Sequence, residues 1–251
     1  MDLRAGSGSL KDVQRLNRPG KFLKAEWRNL ALFNYAIDPA LLRAHVPAGT
    51  ELDRCEGRTF VSLIGFEFNR TRVFGFAVPF HRSFEEVNLR FYVRRGERRG
   101  VVFLRELVPR LAVAAVARFA FGENYRSVPM AHTVSTEENG VEAEYAWGVP
   151  SQRCAMRMAA RNVAMLPAEG SLEQFITEHN WGYAAQRDGG SLEYEVQHPR
   201  WPLRRAESAE FVGDAAPFYG ADFAQVLERP PDSVFFAEGS AVTVFKGIRI
   251  D

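Results

Sequence analysis

Cysteine and lysine are both scarce in this chain of 251 residues. Two cysteines, Cys55 and Cys154, cannot build the disulfide framework of a small secreted scaffold, and they point to a reducing, cytoplasmic home. No Cys/His spacing fits a zinc site, and His45, His81, His132, His179 and His198 show no pairing at ligand spacing, so no metal is expected. Lysine stands only at Lys11, Lys21, Lys24 and Lys246, which makes the basic charge almost wholly arginine. The formal net charge of +1, from 32 basic and 31 acidic residues, leaves no overall field to hold a polyanion and argues against nucleic acid as a partner. The longest apolar run, Leu111 to Ala117, falls far short of the roughly 20 residues of a membrane span. The polar, glycine-rich start has no apolar core of signal-peptide length. Export and membrane insertion are therefore not expected. GxSxG, GxxxxGK and a GxGxxG after a strand are all missing, and no cofactor is expected.

What is present is core material. Apolar residues make up 46% of the chain and aromatics 12%, with 20 Phe, which favours a globular, strand-rich protein over a disordered one. Residues 1–22 read as a flexible lead-in, and 23–251 as one domain, because no linker or repeat divides them. Glu26 to Ala36 reads as a strand. Asp38-Pro39 then opens a short helix, with Asp at the N-cap and Pro at its first position, and Thr50 to Arg54 and Thr59 to Asn69 follow as strands. The segment Phe84 to Arg95 alternates: Val87, Leu89, Phe91 and Val93 share one face, Glu86, Asn88, Arg90 and Tyr92 the other. The next run, VVFLREL, starts apolar on both faces, as in a strand covered on both sides. If the two pair as a hairpin, the polar row of the first faces an interior cavity.

Pro109 to Phe121 reads as an almost wholly apolar, deeply packed helix. Strands are expected at Ser127 to Ser135, Val141 to Trp147, Arg153 to Arg161 and Ala241 to Ile250. Arg153, Arg157 and Arg161 fit solvated ion pairs with Glu142 and Glu144 across a hairpin. Ser171 caps a short helix, and Asp188-Gly189-Gly190 turns between two late strands. Many strands with two or three embedded helices suggest one closed or nearly closed barrel.

Several phrases in order, IDPALLRAHVPAGTELD, FEEVNLRFYVRRG, GVVFLREL, AR..FGENYRSVPM and HPRWPL, resemble the YqjF-like family of bacterial proteins, over most of the chain from about Glu26. That family is similar to the acetoacetate-decarboxylase-like superfamily. The resemblance implies a mainly β fold with a few helices, a β-barrel with a central cavity and, in active decarboxylases, homo-oligomers and a Schiff-base lysine facing a carboxylate. Whether this chain assembles likewise stays open. Where the resemblance places the lysine pair, the sequence reads Gly122, Glu123, Asn124, Tyr125, Arg126, Ser127. A Schiff base needs an amine that can lose its proton, and arginine keeps its own. A Schiff-base decarboxylase is therefore not expected, and whether the protein is an enzyme at all is left undecided.

Glu86 matches the acidic residue that precedes the lysine loop, which makes it the candidate for proton transfer. With Asn88 and Arg90 on the same strand face it could orient a small acidic or carbonyl-containing ligand, the alternative being a Glu86 to Arg90 ion pair or a solvated face. Tyr125 could donate to a carbonyl and Arg126 could bind a carboxylate, or both could anchor the end of the helix. Arg118, isolated on the apolar helix, either reaches a buried carboxylate such as Glu86 or snorkels to solvent. The expected ligand set is Glu86, Asn88, Arg90, Arg118, Tyr125 and Arg126. The competing function is a non-catalytic interaction module that kept the barrel after losing the lysine chemistry.

Overall fold

Long alternating and β-branched runs leave few segments able to coil into helices, and the computed structural model is accordingly dominated by strands. It describes residues 19–77, 82–111, 124–138 and 140–251. The strands of the first half are β1 (Lys21–Ile37), β2 (Glu51–Leu52), β3 (Thr59–Val73), β4 (Phe76–Ala77), β5 (Phe84–Arg95) and β6 (Arg98–Val108). Next come β7 (Tyr125–Ser127), β8 (Met130–Glu137), β9 (Gly140–Val149) and β10 (Gln152–Ala160). The remainder are β11 (Trp181–Ala185), β12 (Ser191–Gln197), β13 (Leu203–Arg205), β14 (Ser208–Val212), β15 (Ser233–Phe245) and β16 (Ile248–Ile250). Four short helices, α1 (Pro39–Leu42), α2 (Leu172–Thr177), α3 (Ala216–Tyr219) and α4 (Ala221–Leu227), lie among the described residues. Asp38 caps α1 by accepting from the Ala40 amide at 2.8 Å, and Ser171 caps α2 by accepting from Gln174 at 3.2 Å.

The larger sheet runs β15, β1, β3, β5, β6, β11, β12 and returns to β15, so its hydrogen bonds close into a ring. The closing links are short. β6 meets β11 in parallel through Gly100 with Trp181 and Val101 with Gly182, and β12 meets β15 through Val196 with Val244 and Gln197 with Thr243. β1 curls round the ring because its pairing with β3 slips between Arg28 and Ala31, at Asn29 with φ of 57°. Gly239 lies opposite, with φ of 85°, where a Cβ would fall 2.0 Å from the Trp27 carbonyl oxygen.

A second sheet, ordered β14, β10, β9, β8, packs on the outside of the ring. Alternation decides which residues meet there. Val87, Leu89, Phe91 and Val93 of β5 are buried in one core with Val141, Ala143, Tyr145 and Trp147 of β9, Met156 and Met158 of β10, and apolar residues of α3 and α4. His132 of β8 clamps the layers: its Nδ1 lies 2.9 Å from Glu85 and its Nε2 3.4 Å from Glu67. The two carboxylates push its pKa up to about 10, Glu67 more than Glu85. Arg157 pairs with Glu144 at 2.8 Å and Arg161 with Glu142 at 3.9 Å, the cross-strand pairing expected of an exposed sheet face.

Several boundaries differ from expectation. β1 starts at Lys21 rather than Glu26, because its pairing with β15 extends to Phe245. The final strand begins at Ser233 rather than Ala241 and is interrupted before β16. Helices α3 and α4 were not expected: α4 has no side-chain cap, and α3, whose Ala216 amide donates to Asp214 Oδ1 at 2.9 Å, is only one turn long. The helix expected over Pro109 to Phe121 falls, from residue 112 onward, outside the described residues, and Arg118 with it. Among the described residues no helix is long and apolar enough to cross a membrane.

Candidate ligand-binding cavity

The inner face of the ring is not filled. Phe60, Phe175, Ile176, Leu203 and Phe235 pack part of it, and beside them lies a cavity of about 180 Å³, against roughly 10–15 Å³ for a single water. Its walls are mostly aromatic and aliphatic, with Trp27, Phe66, Phe68, Phe84, Phe103 and Trp201 prominent. Against these stand a few polar side chains, among them Glu86, Asn88, Arg90, Glu106, Tyr125 and His179. An apolar pocket with a few convergent polar groups is the usual form of a small-molecule site.

β5 supplies the first of these groups by strict alternation. Its outward residues enter the inter-sheet core, so Glu86, Asn88 and Arg90 must face the cavity. Register extends the row sideways: Asn88 pairs with Glu106 on β6, and Glu106 with Tyr125 on β7. Glu86 is 2% exposed. Its Oε1 accepts from Asn88 Nδ2 at 2.9 Å and its Oε2 accepts from the Tyr125 hydroxyl at 3.1 Å. Burial pushes its pKa up to about 7, against the opposing hydrogen bonds of Asn88 and Tyr125 and the nearby Arg90 charge. Near neutrality this carboxyl exists in both protonation states, which suits a group that exchanges protons.

Arg90 is not bound to Glu86. Its Nη2 donates to the Ile176 carbonyl at the end of α2, 3.0 Å away, and its Nε has no partner among the described residues. Asn88 Oδ1, Thr71 Oγ1, Trp27 Nε1 and His179 Nδ1 are likewise buried without a partner there, and all five residues line the cavity. Buried polar groups are rarely left so, and their convergence marks a place where a ligand can complete hydrogen bonds.

Tyr125 and Arg126 part company. The segment expected as a loop is strand β7 in part, and adjacent side chains of a strand point to opposite faces. Tyr125 turns inward to Glu86. Arg126 is exposed, donates to the Pro217 carbonyl at 2.8 Å and holds its guanidinium 5.6 Å from the Phe218 ring. It therefore lies on the α3 side and does not line the cavity where it was expected. Arg118 lies outside the described residues. Lys21, Lys24 and Lys246 are exposed, and no lysine lines the cavity among the described residues.

Sequence reasoning missed Glu106, Asp53 and His179. Glu106 had a signal, being the one acid in an otherwise buried strand. Asp53 and His179 had none, because they stand 126 positions apart and only the ring closure brings His179 Nε2 to 3.0 Å from Asp53 Oδ2.

This ring with a second sheet outside superposes on structures of acetoacetate-decarboxylase-like proteins. The chain superposes on acetoacetate decarboxylase from Legionella pneumophila subsp. pneumophila str. Philadelphia 1 with a TM-score of 0.65 at 14% identity, over 99% of this chain and 98% of that one. It superposes on the enduracididine biosynthesis enzyme MppR complexed with pyruvate with a TM-score of 0.66 at 12% identity, over 97% and 95% of the two chains. Identities this low establish a shared fold alone. The chain belongs to the DUF2071 family, described as an uncharacterized conserved protein, whose pattern matches residues 24–241. It is 29% identical over 208 residues to the uncharacterized protein YqjF of Bacillus subtilis (strain 168), covering 79% of this chain and 81% of that one.

Proposed function

We propose that the ring encloses a binding site for a small acidic or carbonyl-containing compound with an apolar body, and that Glu86 exchanges a proton with it without any Schiff base. The observation that carries this reading is the buried Glu86 carboxyl, titrating near 7, inside an apolar cavity beside Arg90 Nε and Asn88 Oδ1, which have no partner among the described residues. Arg90 supplies the positive charge for a carboxylate or a developing enolate oxygen. Protonated Glu86 supplies the donor for a carbonyl, either directly or by donating to the Tyr125 oxygen so that the Tyr125 hydroxyl proton turns to the carbonyl, and the aromatic walls hold the apolar part and exclude water. MppR, which shares the fold, binds pyruvate in its solved complex. A non-catalytic interaction module would fit better an interior plugged by Phe side chains, with Glu86 and Arg90 paired to each other; here Phe60, Phe175 and Phe235 fill only part of the interior, and Arg90 donates to the Ile176 carbonyl.

The test is a thermal-shift screen of wild type, Arg90→Ala and Arg126→Ala against small carboxylic, keto and hydroxy acids. A ligand at about 100 times its Kd adds roughly 2.7 kcal/mol of stability. The reading expects stabilisation of wild type and Arg126→Ala that is lost in Arg90→Ala. A broad panel that shifts none of the three would favour the interaction module. Borohydride reduction in the presence of a bound keto acid should leave the protein mass unchanged, and a covalent adduct would refute the lysine-free scheme.

A further inference from the structure

His179 lies between α2 and β11 and is buried at 6% exposure while lining the cavity. Its ring packs against Tyr92, 4.7 Å between centroids, and Phe175, at 4.9 Å. Nε2 lies 3.0 Å from Asp53 Oδ2, and the same oxygen accepts from Arg99 Nε at 2.7 Å. Asp53 in turn is fixed through its backbone amide, which donates to the Tyr92 carbonyl at 3.0 Å.

The charges around the ring decide its tautomer. Burial acts to raise the Asp53 pKa, but hydrogen bonds from His179 and Arg99 outweigh it and hold that carboxyl below its ordinary value. Burial pushes His179 down to about 4; Asp53 opposes this, and the positive charges of Arg99 and Arg90 reinforce it. The imidazole is therefore neutral at pH 7. An anionic Asp53 can only accept, so the single ring proton sits on Nε2. Nδ1 is left as a bare acceptor, buried and with no partner among the described residues.

We propose that Asp53 and His179 form a second polar station of the cavity, in which Nδ1 of the neutral imidazole accepts a hydrogen bond from an O–H or N–H of the bound compound. This rests on the cavity being a ligand site and narrows the ligand class. The compound carries a donor in addition to the acidic or carbonyl group held at Glu86 and Arg90, as a hydroxy acid does and a bare carboxylic or keto acid does not. Asp53 is a positioning residue: it reaches the ligand only by fixing the tautomer of His179.

Mandelate, phenylacetate and phenylglyoxylate share an aryl body suited to the aromatic walls and differ at one position, which is a hydroxyl, a methylene or a carbonyl. The proposal expects wild type to bind mandelate about three- to tenfold more tightly than phenylacetate, the increment of one hydrogen bond. His179→Phe, which keeps a ring between Tyr92 and Phe175, should bind the two equally. Asp53→Asn no longer demands a proton on Nε2 and should lose the same preference. Equal binding of mandelate and phenylacetate to wild type, or a preference that survives in His179→Phe, overturns this proposal while leaving the cavity reading intact. Binding of none of the three overturns the cavity reading for this class of compound, and this proposal with it. A ligand-independent measurement guards against unfolded variants: 15N spectra of the wild-type imidazoles should show His179 neutral at pH 6 to 8 with its proton on Nε2. A proton found on Nδ1 refutes the proposal outright.

Discussion

Burying one carboxyl in an apolar ring sets a pH dependence that belongs to residue 86 alone. An unfolded glutamate titrates near 4.5, whereas Glu86 in the folded protein titrates near 7. Between those values the folded state holds more protons than the unfolded chain, so stability contributed by this group falls as pH rises. Below 4.5 both states are protonated and above 7 both are ionised, so the contribution is level outside the window. Glu86→Gln removes the titration and keeps the shape. Urea unfolding of both proteins from pH 4.5 to 7 should show wild type losing stability relative to the variant by on the order of 3 kcal/mol. Parallel curves would mean that Glu86 stays ionised in the folded protein. Residue-level reasoning reached Glu86, Asn88 and Arg90 because one strand carries all three at period 2. It could not place Arg126, whose strand parity with Tyr125 is set by the pairing of β7 with β6.

Among the elements, the parallel contact of β6 with β11 is one of the two short links that close the ring, and glycine makes it feasible. A Cβ on Gly100 would fall 2.5 Å from a Tyr183 ring carbon and 2.8 Å from the Trp181 carbonyl oxygen. The oxygen belongs to the backbone of the paired strand, so the strand itself would have to move. Gly100→Ala should destabilise the protein by about 1–3 kcal/mol and speed amide exchange along β11. Unchanged exchange there would show that the link yields without opening. The alternating strands were legible element by element, and so were the helices with Asp38 and Ser171 as caps. Helices α3 and α4 were not, since both are short and owe their stability to packing against the outer core, although Asp214 holds the first amide of α3.

For the molecule as a whole, the main apolar core lies between the ring and the second sheet and leaves the ring interior partly open. Stability and binding should therefore separate. Met156→Ala, at a residue 1% exposed in that core, should cost about 2–5 kcal/mol and lower Tm. It should leave the affinity for any cavity ligand within about twofold, because Met156 packs in the outer core and does not line the cavity. A parallel loss of affinity would show that the ring deforms with its outer layer. The sequence by itself determined that the chain is strand-rich, that β5 has one apolar and one polar face, and that no lysine stands where the resemblance places one. These follow from local periodicity and residue chemistry. Only the tertiary structure decided that the interior holds a cavity rather than a plug, that Tyr125 enters it while Arg126 does not, and that Asp53 meets His179. Those outcomes depend on register and ring closure between segments far apart in the chain, and strand periodicity carries no information about which partner a strand will choose.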